Sequence, residues 1–394
     1  MNAKLCSAIV VIPIALAWSS LADQRVSPRA KQKSAGVAAS DRSHDGPVNT
    51  TPPTAYELLM LGIQDADHGR LDSAMARLNA VLMMDIPLNL AAAACLARGR
   101  LYQMEGDEER AMRDIEQAIR FQPSNPLAYM YRGLLLSIRG DHGAAIQDFS
   151  EALRFEPKMF RALYNRAGDY LALADWDLAR RDLEDAIQIN PSYALAFLRR
   201  GTLFMLRRQP ETARADYETA ARLAPERADP WIALAYLERH CRRYLAAVSH
   251  FEKALSKNPA KREVVLSSLS WLRATCPDPQ ARDGARAKEE AVEACARSGW
   301  ADARYVETLA AAYAEAGEFE DAVNVEWFAI ALMWSQNAMP TRAQERLRLY
   351  EKCQPYRETE TEDAKDHEEA PDIESLREQI NQPWPAWSNA AETA

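Results

Sequence analysis

His240, Cys241 and His250 form the one local cluster in this sequence whose donors suit a transition metal, since neutral imidazole and thiolate are the ligands such ions prefer. Their spacing spreads them over two helices and the turn between, so ordinary helix-surface histidines are the simpler account. No glycine-rich strand-to-helix fingerprint, P-loop, HExxH helix, CxxC pair or GxSxG elbow occurs. Cys95, Cys241, Cys276, Cys295 and Cys353 are an odd, scattered set, unlike the close, even spacing of a disulfide framework. Cys276 and Cys295 are the one pair near in sequence, and we expect buried or semi-buried thiols with no bridge. The expectation is therefore no catalytic residue, no metal and no cofactor.

Charged chemistry does recur at a fixed spacing. Arg98, Arg132, Arg166 and Arg200 each have an Asp sixteen residues later, at Asp114, Asp148, Asp182 and Asp216. The next unit lacks both partners, with Leu234 and His250 in their places. Losing both together avoids an unpaired semi-buried charge, so the spacing predicts ion pairs that join two antiparallel helices of one unit, or a unit to its neighbour.

The elements that would position those pairs are legible as a repeat. Pro123, Pro157, Pro191, Pro225 and Pro259 fall 34 residues apart. In the same register run Ala111, Ala145, Ala179, Ala213 and Ala247, then Ala118, Ala152, Ala186, Ala220 and Ala254, and a third series Gly99, Gly133, Ala167, Gly201 and Ala235. Within one unit, Tyr129, Gly133 and Leu136 share a helical face, as do Ala145, Phe149 and Ala152 on the helix that follows. Gly140 ends the first helix, Asp141 can cap the second, and Pro157 stops it because proline cannot continue the hydrogen-bond ladder. No such unit buries both stripes alone, so neighbours must stack.

These residues resemble the tetratricopeptide repeat, whose aromatic, Gly, Ala, aromatic and Pro pattern is matched by Tyr129, Gly133, Ala145, Phe149 and Pro157. Departures are small: Ala167 for the Gly and Leu183 for the second-helix aromatic in one unit, and Glu238 for an apolar residue in another. An earlier unit carries Gly62, Ala74 and Leu78, and a later one Ala310, Tyr313, Gly317, Ala322 and Ala329. The connector Thr275-Cys276-Pro277-Asp278-Pro279 with Arg282-Asp283-Gly284, and the ending Leu349-Tyr350-Glu351 with Pro355-Tyr356-Arg357-Glu358, resemble a set of bacterial tetratricopeptide proteins that finish in the same way. The resemblance covers roughly 55–357 and implies an all-α, right-handed superhelical solenoid of about eight helix pairs plus a capping helix at about 340–353.

The resemblance also implies that first helices line a concave groove. On the faces left over from the packing stripes, that groove should present Arg100, Met130, Tyr131, Arg161, Tyr164, Asn165, Leu198, Arg199, Tyr236 and Arg239. Aromatics, Met and Arg are enriched at protein interfaces, so the expected partner is a protein or peptide segment. Asn165 with Arg199 is similar to part of the peptide-carboxylate clamp of some tetratricopeptide proteins. The other positions of that clamp are not filled, and none is assigned.

The two ends differ from the middle. Lys4, an apolar run over 5–18 and the small-residue ending at Ala22 have the charge and length of a secretory signal, read as residues 1–22. The run is short for a span and holds Pro13; an uncleaved anchor is the alternative. Export, periplasmic or secreted, follows, with no stable membrane span after cleavage. Residues 23–54 hold almost no large apolar side chains and read as a mildly basic tether, with Asn49-Thr50-Thr51 matching a glycosylation acceptor.

Of the 48 Lys+Arg and 57 Asp+Glu behind the net charge of −9, residues 358–394 hold 11 acids and two bases, so this segment alone carries −9. An acidic balance argues against nucleic acid. A solvated tail is the plain account; the sharper expectation is self-docking in the groove, anchored by Trp384 or Trp387. The whole is read as an exported scaffold or adaptor, not an enzyme. The alternative is an accessory subunit of a cell-envelope enzyme, or such an enzyme in cryptic form.

Overall fold

A computed structural model describes residues 53–358. The signal reading of 1–22, nearly all of the tether, and the tail beyond Glu358 with Trp384 and Trp387 lie outside the described residues. Among the described residues there are seventeen helices and no strand. They run as α1 (Ala55–Asp67), α2 (Leu71–Leu82), α3 (Leu88–Met104), α4 (Glu108–Phe121), α5 (Pro126–Ile138), α6 (His142–Phe155), α7 (Phe160–Ala172), α8 (Trp176–Ile189) and α9 (Ala194–Leu206). The second half is α10 (Pro210–Leu223), α11 (Asp229–His240), α12 (Tyr244–Ser256), α13 (Arg262–Thr275), α14 (Gly284–Arg297), α15 (Ala303–Glu315), α16 (Phe319–Ser335) and α17 (Thr341–Tyr350).

Local chemistry sets the helix ends. Asp107, Asp141 and Asp283 each cap a second helix through a backbone N–H three residues on. Gln122, Glu156, Asn190 and Ala224, each just before a proline, are forced into extended backbone (φ −139°, −134°, −131° and −133°), which stops α4, α6, α8 and α10 in register. Apart from the longer α13–α14 connector, the turn inside each pair carries one left-handed residue. Gly140 supplies it at φ 81°, but one, two and three repeats later the same position is Ala174, Arg208 and Arg242 at φ 62°, 57° and 58°. Those three hold a conformation costing L-residues about 1–2 kcal/mol, and the packed helices on either side maintain it.

The alanine ladders are the core. Ala111, Ala145, Ala179, Ala213 and Ala247, and Ala118 through Ala254 in the second ladder, are all 0% exposed. Small residues let backbones close on one another: a Cβ on Gly133 would lie 2.9 Å from Phe149 Cε1, and one on Gly201 would lie 2.5 Å from Tyr217 Cε1. Each helix packs on its pair partner and on the next helix in sequence, so the units stack as an all-helical solenoid. Several successive first helices also touch one another: α1 with α3, α5 with α7, α7 with α9, α9 with α11, and α13 with α15. Such contacts are those expected of the inner side of a curved helical solenoid.

All four Arg and Asp pairs form, between the two helices of one unit. Arg98, Arg132, Arg166 and Arg200 each donate Nε and Nη2 to the two carboxylate oxygens of Asp114, Asp148, Asp182 and Asp216 at 2.7–2.8 Å. Arg98 also reaches Asn79 and Arg166 reaches Ser150, tying each to the preceding unit. Where the pair is missing, Leu234 is buried and His250 stacks on Trp231 at 5.8 Å. Glu238 is buried without disturbing its joint, because Arg214 of α10 meets it at 3.0 Å.

Candidate ligand groove

Six of the ten residues expected to face a ligand are buried. Met130 and Leu198 are 4% and 2% exposed and belong to the cores between units, a correction to their expected place on the surface. The cause is stacking: Met130 shares a core with Ala162 and Leu163 of the next unit, and Leu198 with Ile232 and Ala233 of the unit after its own. Tyr131, Tyr164 and Tyr236 are buried as well. The Tyr236 hydroxyl meets Ser268 Oγ at 2.9 Å, and its ring stands edge-on to Phe251 at 5.2 Å.

Arg199 departs most from expectation. It is 4% exposed, its guanidinium lies 3.7 Å from the centroid of the Tyr164 ring, and its Nη1 donates to the Tyr164 carbonyl at 2.7 Å. A Cβ on Gly168 would come within 2.8 Å of that nitrogen, so the glycine makes room for it. Arg199 thus joins α9 to α7 and is not turned outward to grip a carboxylate beside Asn165. Burial in this stack raises the Tyr164 hydroxyl above its ordinary range.

Arg100, Arg161, Asn165 and Arg239 keep part of their surface. Arg100 lies over the Tyr131 ring at 5.1 Å and, with Ile63, Leu96, Asn125 and Leu127, borders an apolar cleft of about 180 Å³ where α1, α3 and α5 meet. Arg161 lies 5.7 Å from the Phe160 ring centroid. Among the described residues no group of three or more His, Cys, Asp or Glu converges as a metal site, and His240 is exposed while His250 is half-buried.

Arg239 marks the richest part of the surface. After α17 the chain turns back, and residues 355–358 lie extended against α13. The Glu358 N–H donates to the Thr275 carbonyl at 3.0 Å, and its carboxylate accepts from Trp271 Nε1 and from Arg239 Nη2 at 3.3 Å. Arg357 donates to the Ala274 carbonyl at 3.2 Å and pairs with Glu315 of α15 at 2.5 Å. The Tyr356 ring rests 5.8 Å from Trp271, and the Arg346 guanidinium lies 5.5 Å from Trp271 and 5.9 Å from Tyr356. Arg346 is itself held by Glu326 and Glu307. Glu326 is wholly buried, which pushes its carboxyl well above the usual carboxylate range.

The unusual connector is built for the same place. Arg282 donates to the Cys276 and Pro277 carbonyls at 3.1 Å each and to Glu315 at 3.0 Å, so Arg282 and Arg357 share one acid. Asp283 caps α14, and a Cβ on Gly284 would lie 2.6 Å from the Ala316 nitrogen. The two terminal motifs of the sequence are therefore one structure: the connector exposes the end of α13, and the Pro-Tyr-Arg-Glu ending sits on it. Trp271, Thr275, Glu315 and Arg346 are absent from any sequence-derived site. Their signal was the presence of both motifs in one chain.

The family model for the tetratricopeptide repeat matches residues 96–160, 164–228 and 198–262. These units are tetratricopeptide repeats. Among solved structures, PilF of Pseudomonas aeruginosa is similar at 19% identity and TM-score 0.46, over 52% of this chain and 92% of its own. PilW, a type IV pilus biogenesis factor, gives 19% and 0.47 over 51% and 92%. A tetratricopeptide repeat protein from Parabacteroides merdae gives 17% and 0.46 over 75% and 98%. No curated protein matches the sequence. Tetratricopeptide arrays are in general protein-interaction scaffolds, and this array has their stacked helical build. Among the described residues no helix is long and apolar enough to cross a membrane.

Proposed function

We propose that the chain is an exported tetratricopeptide scaffold that holds an extended protein or peptide segment along its concave face. The observation that supports this most is the manner in which the face accepts residues 355–358. Backbone N–H to carbonyl, carboxylate to arginine and indole, and aromatic to aromatic are the contacts by which a repeat groove grips a foreign segment. The ligand groove runs from the apolar cleft beside Arg100 and Tyr131, past Arg161 and Asn165, to Tyr236 and Arg239. Buried Met130, Tyr164, Leu198 and Arg199 fix its shape. Residues 355–358 sit at the Arg239 end of this face, so a ligand reaching α13 would have to share it with them.

Lys4, the apolar run 5–18 and Ala22 support export. Sequencing the mature N-terminus tests that part: a chain beginning after Ala22 supports it, and an intact Met1 overturns it. Affinity capture from the native compartment tests the rest. A stable protein partner whose recovery falls with Arg161→Glu and Arg100→Glu supports the groove; capture indifferent to both substitutions, or turnover of a substrate by the purified chain, overturns it.

A further inference from the structure

α16 turns an uncharged aromatic stripe to solvent. Trp327, Phe328 and Trp334 are 44–53% exposed with exposed Ala331 between them, and at i, i+1, i+4 and i+7 the four share one helical face. Counted from the matching buried alanines Ala179, Ala213 and Ala322, Trp327 takes the place of Glu184 and Glu218, and Phe328 that of Asp185 and Thr219. α16 also runs for 17 residues where no other second helix exceeds 14, and its extra turn carries Met333 and Trp334. Between residues 322 and 340 the single charged side chain is Glu326, which is wholly buried against Arg346. The end of α16 runs into a shallow cleft of about 660 Å³ bordered by Met333, Met339 and Tyr305.

We propose that two copies of this chain meet through the stripe, as a twofold dimer with the α16 helices antiparallel. The area suffices. About half of each aromatic is open, roughly 100 Å² apiece, and with Ala331, Met333 and Met339 the patch reaches roughly 500 Å². Two such patches bring about 1,000 Å² together, the size at which a contact becomes specific. The chemistry is self-complementary, because a twofold contact sets each patch against itself, which like charges oppose and an uncharged stripe permits. Antiparallel pairing also keeps the exposed acids of the first turn, Glu320 and Asp321, of the two copies at opposite ends. Other occupants suit the stripe less. A helix lying on a membrane surface needs a Lys- and Arg-rich face toward water, and α16 has neither residue. Residues 359–394 hold ten acids against two bases and would meet no cation between 322 and 340. Residues 23–52 enter the fold at α1, beside the exposed Tyr56, Met60 and Leu61.

The stripe lies on a second helix, whereas the scaffold reading places ligands on first helices. A dimer therefore carries two ligand faces on one particle and holds a ligand with two binding segments by avidity. That gain rests on the scaffold reading; the pairing itself does not.

The test uses the full mature chain in sedimentation equilibrium between about 1 and 100 μM, where a monomer–dimer equilibrium with a micromolar dissociation constant is expected. Trp327→Glu with Trp334→Glu should weaken it about a hundred-fold or more while the helical circular dichroism is unchanged, and roughly 500 mM salt should leave the native dimer intact because no charge pair holds it. A second readout leaves the stripe in place: in a Cys353→Ser background, Ala331→Cys should be joined to its own copy by a short bis-maleimide, and Gln147→Cys, exposed on α6, should not. A native chain that stays monomeric over the whole range overturns the proposal; if that monomer also floats with phosphatidylcholine vesicles, the stripe belongs to a lipid surface. A dimer that survives the two glutamates, that fails to cross-link at Ala331→Cys, or that is broken instead by Met60→Glu overturns it too, the last assigning the contact to α1. No ligand enters these readouts, so failure of the pairing and failure of the scaffold reading are told apart.

Discussion

Truncating Arg166 isolates what one rung of the ion-pair ladder contributes. Its guanidinium makes two parallel bonds to Asp182 at 2.7 and 2.8 Å and a third to Ser150 at 3.0 Å, with side chains only 19% and 8% exposed. Arg166→Ala leaves the Asp182 carboxylate under the alanine-lined joint with no cation, a loss of about 3 kcal/mol for a pair this deeply placed. At about 2–4 °C per kcal/mol, the melting temperature should fall by roughly 6–12 °C. Asp182→Asn in that background removes the stranded charge and should cost almost nothing further, so the cycle closes with a coupling of about 2 kcal/mol.

The pH dependence carries the same signature. Burial already raises the folded-state pKa of Asp182 above its ordinary 3.8 despite Arg166, so the native state holds that proton more tightly than the unfolded chain. Its contribution therefore declines as pH rises from 3.8 through the raised value, and more steeply once Arg166 is gone. Urea denaturation of the four proteins at pH 5 and pH 7 provides the measurement. Additive losses, or an Arg166→Ala deficit that does not grow from pH 5 to pH 7, would refute the reasoning.

Two further outcomes follow from packing. Gly201→Ala should destabilise by about 1–3 kcal/mol, because the new methyl meets Tyr217, a ring 1% exposed with no room to retreat; Gly143→Ala, with nothing within 4 Å, is the control and should be neutral or slightly stabilising in the same denaturation assay. Burial pushes the Cys95 and Cys276 thiols up to about 11 and Cys295 up to about 12, whereas Cys353 is exposed. Iodoacetamide at pH 8 should therefore modify Cys353 in the native protein and reach the other three only after unfolding, read by peptide mass spectrometry; early labelling of Cys295 would contradict the packing of α14 against α15.

How far the sequence reached depends on the range of the interaction. Proline, alanine and glycine ladders and the Arg and Asp spacing are short-period features, and a 34-residue unit must satisfy its own two helices. Stacked helix pairs, their Arg and Asp partners and the alanine ladders could therefore be read from spacing, and the resemblance to tetratricopeptide repeats implied the solenoid. Which side chains of a first helix the neighbouring unit covers is not set by spacing, and Met130, Leu198 and Arg199, expected at the surface, are buried.

Sequence by itself determined the repeating rods and what joins each to the next, because those contacts recur at fixed separations along the chain. Tertiary structure alone decided that Glu358 meets Arg239 and Trp271, 119 and 87 residues away, and that the connector after α13 and the chain's Pro-Tyr-Arg-Glu ending form one seat. Such a contact depends on the accumulated curvature of the last units. No local spacing encodes that sum, since it arises from small rotations at every joint between them.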